Sequence, residues 1–329
     1  MIQRHLLWLA AVLIGAAAAQ PSPRGYVDMV YVPQVDRVLV FGGQSSPNPP
    51  YPPLGGTWWW DPRSGAWTEI VGEPQPSPRS ASHLEVHAPT GSVVLFGGGK
   101  PAGSGFDTFS ETWVFDPFEE RWSQLSFEGP TPRAEIGEQF AYHEAADLFV
   151  LHGGFTLNGF RMLNDTWHLD LMAGNWERVE PIDPPPGRNY NAFGYDPGAE
   201  VMVMSGGTEG TSDETWTYDP VTLRWTFVGP REGIPGVPYA RFAYVQELDA
   251  LVRLGGLGKD PGTLWRYDAA TAGWSEVAAE NEGPAVSRHA MVAVPGVGLV
   301  VFGGLPAGSQ GFTNALWVYD PGIGAWQRR

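Results

Sequence analysis

Short apolar runs that end in a pair of glycines recur along the whole chain. The pairs are Gly42-Gly43, Gly97-Gly98, Gly153-Gly154, Gly206-Gly207, Gly255-Gly256 and Gly303-Gly304, at intervals of 55, 56, 53, 49 and 48 residues. Apolar runs this short, bounded by Gly and Pro turns, predict β-strands rather than helices. The regular interval predicts six copies of one structural unit.

Each glycine pair is followed by an aromatic run, an acidic turn and a tryptophan. The Asp and the later Trp are six residues apart in every unit: Asp61 and Trp67, Asp116 and Trp122, Asp170 and Trp176, Asp219 and Trp225, Asp268 and Trp274, Asp320 and Trp326. Twelve of the 14 tryptophans after residue 19 occupy this position or the aromatic run before it, and Trp59 and Trp60 extend the run of Trp58. The tryptophans are therefore expected to fill the space between repeated sheets.

Four strands are predicted in each unit. In the second unit they cover residues 82–87, 92–96, 112–116 and 121–125, and Asp-Pro between the last two suits a tight hairpin turn. Six units of four antiparallel strands predict an all-β, six-bladed propeller, with blades at about 22–72, 73–127, 128–180, 181–229, 230–278 and 279–329. A solenoid would require atypical capping units, whereas the first and last units carry the full pattern.

An arginine precedes the first strand of each unit, at Arg24, Arg79, Arg133, Arg188, Arg241 and Arg288. The order Arg, Gly-Gly, aromatic-Asp, Trp resembles the kelch repeat over residues 20–329. Within that family, the chain resembles secreted kelch-repeat proteins of the bacterial type. This resemblance implies that the strand after the Arg is innermost in its blade and that the strand with the second Trp is outermost. Because every unit is contiguous, we expect the ring to close without the exchange of a terminal strand.

Composition and charge narrow the classes of protein. The 43 Gly and 31 Pro, with 13% aromatic and 17% charged residues, are typical of a turn-rich all-β core. A net charge of -16 disfavours nucleic-acid and anionic-membrane binding, because both require a basic surface. The chain has no cysteine, which rules out disulfides, thiolate metal sites and a lipid anchor on Cys.

The first 19 residues have the pattern of a signal peptide. A short basic start with Arg4 is followed by an apolar run over residues 6–19 that ends in three alanines. The run is shorter than the roughly 20 residues of a bilayer-spanning helix, although an uncleaved anchor is the alternative. We expect cleavage after Ala19 and a secreted or periplasmic protein.

The arginines are the first candidate binding residues. Strand order places them between the outermost strand of one blade and the innermost strand of the next, at one mouth of the channel. The loops after the glycine pairs are expected on the same face. Six guanidinium groups there could bind a carboxylate, a sulfate or an acidic peptide through charge-assisted hydrogen bonds. The alternative is a structural role in which they bond to backbone carbonyls of adjacent blades.

The loops after the glycine pairs are the second candidate. They are long at residues 44–56, 99–111, 155–165 and 305–315, but short at 208–214 and 257–263. Exposed loops on a rigid scaffold often carry binding residues, and aromatic side chains there suggest contact with peptide or carbohydrate. Packing of the loops on themselves is the alternative. The candidates are Tyr51, Phe106, Phe109, Phe160, Arg161 and Phe312.

Catalytic interpretations receive less support. Copper-radical oxidases of the kelch type require a Cys joined to a Tyr, which this chain cannot form. The iron motif of plant relatives requires Glu, Asp and His at four-residue intervals; Glu209 and Asp213 have this spacing, but Thr217 stands at the position of the His. His83 and His87 are four residues apart, which on a strand is too far for both to bind one metal ion. We therefore expect no cofactor and no metal site.

One enzymatic alternative stays open. Some exported bacterial kelch proteins are sialic acid mutarotases, and in this chain Glu135, Glu138, His143, His83 and His289 are candidates for proton transfer. The preferred hypothesis is a monomeric binding module whose ligand is a protein, a peptide or an acidic saccharide, held by the face that carries the arginines and long loops. The alternative is a sugar isomerase or another small-molecule enzyme at the same mouth.

Overall fold

A computed structural model describes residues 20–103, 105–157, 159–208, 214–230, 237–258 and 260–329. The predicted signal peptide lies outside these residues, as do Glu209 and Asp213 of the iron motif considered above. Among the residues described, no helix is long and apolar enough to cross a membrane.

The first three blades are formed by consecutive parts of the chain. Blade 1 contains β1 (Asp28–Val32), β2 (Arg37–Phe41), β3 (Thr57–Trp60) and β4 (Trp67–Ile70). Blade 2 contains β5 (Ser80–Val86), β6 (Val93–Ala102), β8 (Thr112–Asp116) and β9 (Arg121–Gln124), with β7 (Gly105–Thr108) added to β6. Blade 3 contains β10 (Gln139–His143), β11 (Leu148–His152), β14 (Thr166–Asp170) and β15 (Asn175–Val179), with a small hairpin of β12 (Phe155–Thr156) and β13 (Arg161–Met162).

The other three blades repeat this plan. Blade 4 contains β16 (Ala192–Asp196), β17 (Val201–Ser205), β18 (Glu214–Asp219) and β19 (Arg224–Pro230). Blade 5 contains β20 (Ala240–Val245), a 3-10 turn (Gln246–Leu248), β21 (Ala250–Gly255), β22 (Trp265–Asp268) and β23 (Gly273–Glu276). Blade 6 contains β25 (Ala290–Val294), β26 (Gly298–Phe302), β28 (Leu316–Asp320) and β29 (Ala325–Arg328), with β24 (Val286–Ser287) paired to β27 (Leu305–Pro306).

The six sheets form a closed ring. Within each blade the strands pair antiparallel in chain order, and the first strand of each blade contacts the first strands of both neighbours, including β1 with β25. Every blade consists of one contiguous segment. The predicted six-bladed, all-β propeller is therefore confirmed, together with closure without strand exchange.

Side chains alternate between the two faces of each sheet. Trp58 and Trp60 pack against Phe302 in the interface with blade 6, whereas Trp59 packs with Leu95 and Trp122 in the interface with blade 2. Successive strand residues point to opposite faces, so the three consecutive tryptophans cannot form one platform. They belong to two cores between blades.

The outer tryptophans also bond between blades. The Trp122 indole nitrogen donates to the Thr57 hydroxyl of blade 1 at 2.8 Å, and Trp176 donates to Thr112 of blade 2 at 3.2 Å. A buried indole N–H requires an acceptor, and here the preceding blade provides it. These bonds join the outermost strand of one blade to the third strand of the blade before it.

The glycine pairs allow neighbouring blades to approach closely. Gly42 and Gly43 have φ of +68° and +109°, and the Gly43 amide donates to the Arg79 carbonyl of blade 2 at 2.9 Å. A Cβ atom on Gly42 would lie 2.7 Å from that carbonyl oxygen. Gly304 makes the equivalent bond to the Arg24 carbonyl at 2.8 Å, which closes the ring between blades 6 and 1.

Candidate functional site

One residue of each blade forms a ring at the channel mouth that carries the glycine-pair loops. These six residues all have positive φ, between +51° and +71°, and we call them the mouth ring: Tyr26, Ala81, Gly137, Tyr190, Tyr239 and Arg288. Backbone bonds of 2.8 to 2.9 Å join four of the six neighbouring pairs, such as the Ala81 amide to the Tyr26 carbonyl and the Tyr239 amide to the Tyr190 carbonyl. The backbone is thus nearly the same in all six blades, while the side chains differ greatly in size.

The large members of the mouth ring pack together over blades 1, 4, 5 and 6. The rings of Tyr190 and Tyr239 are 4.4 Å apart, and Tyr26 meets Tyr239 edge-on at 5.8 Å. The Arg288 guanidinium lies 4.2 Å above the Tyr239 ring, and its Nε donates to the Tyr26 hydroxyl at 2.6 Å. This cluster occupies the channel opening on that side.

Blades 2 and 3 leave a gap, because their ring residues are Ala81 and Gly137. A cavity of about 300 Å³ lies there, and we call it the entrance pocket. Two of its walls come from the long loops of blades 1 and 2, through Tyr51 and Phe106. Other lining residues are Tyr26, Tyr190, Ser80, Thr108, Glu135 and Arg288.

The entrance pocket is mainly aromatic, with few ionisable groups. Burial raises the pKa of Glu135, although a hydrogen bond with Thr156 acts in the opposite direction. Burial and the nearby Tyr239 raise the pKa of Tyr26, so its phenol is neutral near pH 7. For Arg288, burial lowers the pKa, but contacts with Tyr26 and Tyr239 outweigh this and the net shift is upward. The pocket therefore presents a cation that is held by phenols and a carboxylate on the wall formed by blade 3.

Three of the predicted arginines are buried and bonded to their own blades. Arg24, Arg79 and Arg188 are at most 3% exposed, and each donates through Nη1 to the carbonyl of the first glycine of its own pair, at 2.9 to 3.4 Å. Arg79 and Arg188 also bond to carboxylates of Glu111 and Glu214 at 2.7 and 2.6 Å. The geometry gives these guanidiniums a structural role within each blade.

The other three arginines do not occupy the equivalent position, and the sequence prediction of one shared position is wrong for them. The residue two places before the mouth ring is Glu135, Val237 and Val286 in blades 3, 5 and 6. The Val286 carbonyl accepts from Gly256 as the Arg79 carbonyl accepts from Gly43.

The actual places of these three arginines differ from one another. Arg133 is exposed before the inner strand, Arg241 lies on β20 beside the channel, and Arg288 belongs to the mouth ring. The lead-in to the inner strand differs in length among the units, so the first Arg is an unreliable marker of register.

The loop residues are only partly brought together. Tyr51 and Phe106 line the entrance pocket with Arg288, whereas Phe109 lies beneath the Arg79 guanidinium at 4.2 Å. Phe312 is buried against Tyr26, with ring centres 6.3 Å apart. Phe160 and Arg161 are exposed near the β12–β13 hairpin, outside the pocket. A binding role for these loop residues stays a prediction.

Sequence reasoning missed most of the mouth ring. Tyr26, Ala81, Gly137, Tyr190 and Tyr239 lie two residues before equivalent positions on the inner strands, as the pairing register of each first hairpin shows. Aligning the units on that hairpin, rather than on the arginines, would have placed the five residues in one column with Arg288.

The acid–base candidates do not converge on one pocket. Glu135 lines the entrance pocket, and His83 lies deeper, with its Nε2 2.8 Å from the Glu138 carbonyl oxygen. Glu138 and His289 are buried between blades, and His143 bonds to the Glu200 carbonyl at 2.9 Å. Burial lowers the pKa of His83 and His289 to about 3 and raises that of Glu138 to about 8. Nowhere in the described part of the chain do three potential metal-binding side chains group together.

A rigid propeller with a pocket among the long loops at one mouth has the geometry of a binding site. The chain belongs to the Kelch-repeat family, because the family profile described as the KLHDC2/KLHL20/DRC7 Kelch-repeats domain matches residues 9–193. This span begins within the signal-like segment, covers the first three blades and ends in the first strand of blade 4, and the repeat pattern continues through the rest of the chain.

Curated relatives agree with this assignment. Kelch domain-containing protein 10 of Xenopus tropicalis is 26% identical over 190 residues, which cover 53% of this chain and 44% of that protein, and the Xenopus laevis protein gives the same values. The F-box/kelch-repeat protein At1g51550 of Arabidopsis thaliana is 32% identical over 124 residues, which cover 35% of this chain and 25% of that protein. The chain thus spans less than half the length of these relatives. They are eukaryotic proteins, whereas the sequence led us to expect a bacterial type.

Proposed function

We propose that the chain is a protein-interaction module that holds an extended segment of a partner across the channel mouth. One side chain of that segment enters the entrance pocket between Ala81 and Gly137. The observation that carries this proposal is the asymmetry of the mouth ring, since four large residues close one side and two small residues open the other. The long loops of blades 1 and 2 flank the open side.

The chemistry of the entrance pocket supports a peptide ligand. Aromatic side chains provide large contact area with little conformational freedom to lose, and buried aromatic anchors dominate many protein interfaces. The pocket has four such residues, Tyr26, Tyr51, Phe106 and Tyr190, with Ser80 and Thr108 among its polar groups. A concave apolar site with a few polar groups suits one inserted side chain better than a flat surface does.

The arginine arrangement favours a peptide over an acidic saccharide. A saccharide carboxylate or sulfate would need guanidinium donors free to bind it. Arg24, Arg79 and Arg188 direct their donors to acceptors of the protein itself, and Arg288 is engaged by Tyr26. The carboxyl group of Glu135 on the pocket wall further disfavours an anionic ligand.

No observation favours the sugar isomerase alternative. Proton transfer on a sugar requires an acid and a base that face one pocket. Of the candidate residues, Glu135 lines the entrance pocket, whereas His143, Glu138 and His289 are engaged or buried elsewhere. His83 lies deeper in the channel, where its Nε2 is 2.8 Å from the Glu138 carbonyl oxygen.

Export is also part of the proposed function. The apolar run and the alanines before Gln20 support a signal peptide, and the resulting protein would be a secreted or periplasmic monomer. Expression of the full chain in a bacterial host with N-terminal sequencing of the product tests this. Gln20 as the first residue is expected, and an intact Met1 on the accumulated protein would contradict export.

The binding proposal is tested by selecting peptides from a random displayed library on the purified protein. Selected peptides should compete with one another and lose binding to Ala81→Tyr. Tyrosine is tolerated at this φ, because Tyr26, Tyr190 and Tyr239 have it at +51° to +67° and Ala81 has +57°. The substitution therefore fills the pocket without forcing the backbone into a new conformation.

The matched control is Ala272→Tyr. Ala272 is exposed on an outer turn of blade 5 and has φ of +54°, so the same substitution is made at the same backbone conformation far from the mouth. Peptides that bind Ala81→Tyr as well as they bind the unaltered protein would contradict the proposal, and so would a library from which no saturable ligand emerges.

A further inference from the structure

A second cavity lies inside the propeller channel. It has a volume of about 290 Å³ and is lined by the inner strands of all six blades, and we call it the channel chamber. A neck of about 30 Å³, lined by Arg288, His83 and Arg241 among others, lies between it and the entrance pocket. The chamber is thus a site separate from the proposed peptide-binding mouth.

The mouth end of the channel chamber is polar and charged. Asp28 of β1, His83 of β5, Gln139 of β10 and Arg241 of β20 occupy the same register position on four inner strands. Glu85, two residues after His83, adds a second carboxyl group. Four different strands therefore place polar side chains in one enclosed space.

The repeated blades serve as internal controls for these residues. Blades 4 and 6 have Ala192 and Ala290 at the position of Asp28, so the fold does not require a polar residue there. At the position of Glu85 the other five blades have only small or apolar residues: Val30, Ala141, Gly194, Ala243 and Val292. Burying a carboxylate costs several kcal/mol, about 3 or more when it is unpaired. Asp28 is buried and Glu85 is partly buried, so the charged set departs from the repeat at an energetic cost, which indicates a role beyond folding.

The charges of the channel chamber do not balance. Burial raises the pKa of Asp28, although the charge of Arg241 and hydrogen bonds from the Leu84 and Met29 amides, at 3.2 and 2.9 Å, act in the opposite direction. His83 is neutral, because burial lowers its pKa to about 3. With both carboxyl groups ionised, one guanidinium faces two carboxylates. Arg241 is thus shared between Asp28 and Glu85, and ionisation of both carboxyl groups leaves one negative charge unbalanced among the described residues of the chamber.

The opposite end of the channel chamber is aromatic. Tyr31, Tyr142, Tyr195 and Tyr244 line it, one from each of four inner strands. The hydroxyls of Tyr31, Tyr142 and Tyr244 donate to Asp36, Asp147 and Asp249 of the hairpin turns, at 2.9, 2.7 and 2.5 Å. Carboxylates at the rim attract cations, and tyrosine rings bind them through their faces. A cation that enters from this side meets aromatic rings first and Glu85 afterwards.

We propose that the channel chamber binds a small organic monocation with a primary ammonium group, for which Glu85 is the counter-ion. The ammonium N–H groups would donate to Glu85, and the organic part would lie among the tyrosine rings. The two carboxylates of Asp28 and Glu85 and the guanidinium of Arg241 together carry a charge of -1, which a ligand with one positive charge would balance. A divalent metal is disfavoured by the positive charge of Arg241. In addition, the described residues contain no cluster of three His, Cys, Asp or Glu side chains that could hold a metal ion.

Binding should release a proton below about pH 8. Burial, with the charge of Asp28, raises the pKa of Glu85 to about 8, and the Tyr142 amide and Arg241 oppose this. Burial also raises the pKa of Asp28, against the charge of Arg241. Burial lowers the pKa of His83 and raises those of the four tyrosines, so these five stay neutral near pH 7, and strand β25 contributes only Met291, Val292 and Ala293. The affinity for the cation is therefore expected to rise as the pH increases from 6 to 8.

Isothermal titration of the unaltered protein with n-butylammonium chloride tests the proposal, with butan-1-ol and sodium chloride as comparison ligands. Saturable one-to-one binding of butylammonium alone is expected. Glu85→Gln should weaken it by at least about tenfold, as expected for removal of the carboxylate that pairs with the ammonium group. Glu119→Gln removes the charge of an exposed carboxylate on an outer turn and should leave the affinity unchanged.

Three results would overturn the proposal: no saturable binding of butylammonium at pH 8, equal affinity in Glu85→Gln, or equal affinity at pH 6 and pH 8. The last measurement uses only the unaltered protein, so the test holds even if Glu85→Gln does not fold.

Discussion

At the scale of the residue, the buried arginines show how a binding motif and a structural motif can look alike in sequence. An Arg beside a proline-rich lead-in could face solvent or turn inward. In this fold Arg79 turns inward, because its Nη1 reaches the Gly97 carbonyl and its Nη2 reaches the Glu111 carboxylate. The positive φ of the glycine pair turns these carbonyls away from the strand ladder, and the guanidinium satisfies one of them.

Removing one of these guanidiniums should destabilise the fold. We expect Arg79→Ala to lower the free energy of unfolding by about 3 kcal/mol, because it leaves a buried carbonyl and a partly buried carboxylate without their donor. Urea unfolding monitored by tryptophan fluorescence measures the change.

The control for that measurement is Arg133→Ala, since Arg133 is exposed. Its effect on the free energy of unfolding should stay within about 0.5 kcal/mol. An Arg79→Ala protein of unaltered stability would contradict the structural role and would return Arg79 to the candidate ligand-binding residues.

At the scale of the element, the strands were predictable because each is short and bounded by turn residues. In blade 2 the predicted strands at 112–116 and 121–125 match Thr112–Asp116 and Arg121–Gln124 within one residue. The second strand runs on past Gly97-Gly98 to Ala102, because it pairs there with Gly105–Thr108. That extension depends on a loop hairpin with no alternating pattern, so periodicity did not predict it.

The candidate site was less predictable than the strands that support it. Tyr51, Phe106 and Arg288 could be proposed from sequence, because aromatic and basic residues in long loops are conspicuous. Ala81 and Gly137 have no chemical signal of their own. They matter because the other blades have large side chains, three Tyr and one Arg, at the same position of the mouth ring. That position can be recognised only after the blades are aligned by the pairing register of their first hairpins.

At the scale of the whole molecule, buried ionisable groups should give the fold an optimum pH. Burial lowers the pKa of His83, His152 and His289 to about 3, so below their ordinary value of 6.5 the unfolded chain takes up protons that the folded chain does not. Stability therefore falls as the pH drops. Burial raises the pKa of Glu85 and Glu138 to about 8, so above 4.5 the unfolded chain loses protons that the folded chain keeps, and stability falls as the pH rises.

The two effects should balance near the ordinary histidine pKa. We expect the urea midpoint to be highest at about pH 6.5 and lower at both pH 4.5 and pH 8.5. Glu138→Gln should flatten the alkaline decline while leaving the acidic decline in place. A midpoint that is higher at pH 8.5 than at pH 6.5 would contradict the burial of these carboxyl groups.

The central claim is that the gap in the mouth ring is where a partner binds. The most direct measurement is the dissociation constant of one selected peptide for the unaltered protein, Ala81→Tyr and Ala272→Tyr. We predict at least about tenfold weaker binding for Ala81→Tyr and a change of less than about twofold for Ala272→Tyr, because only the first fills the entrance pocket. Equal dissociation constants for all three folded proteins would contradict the account.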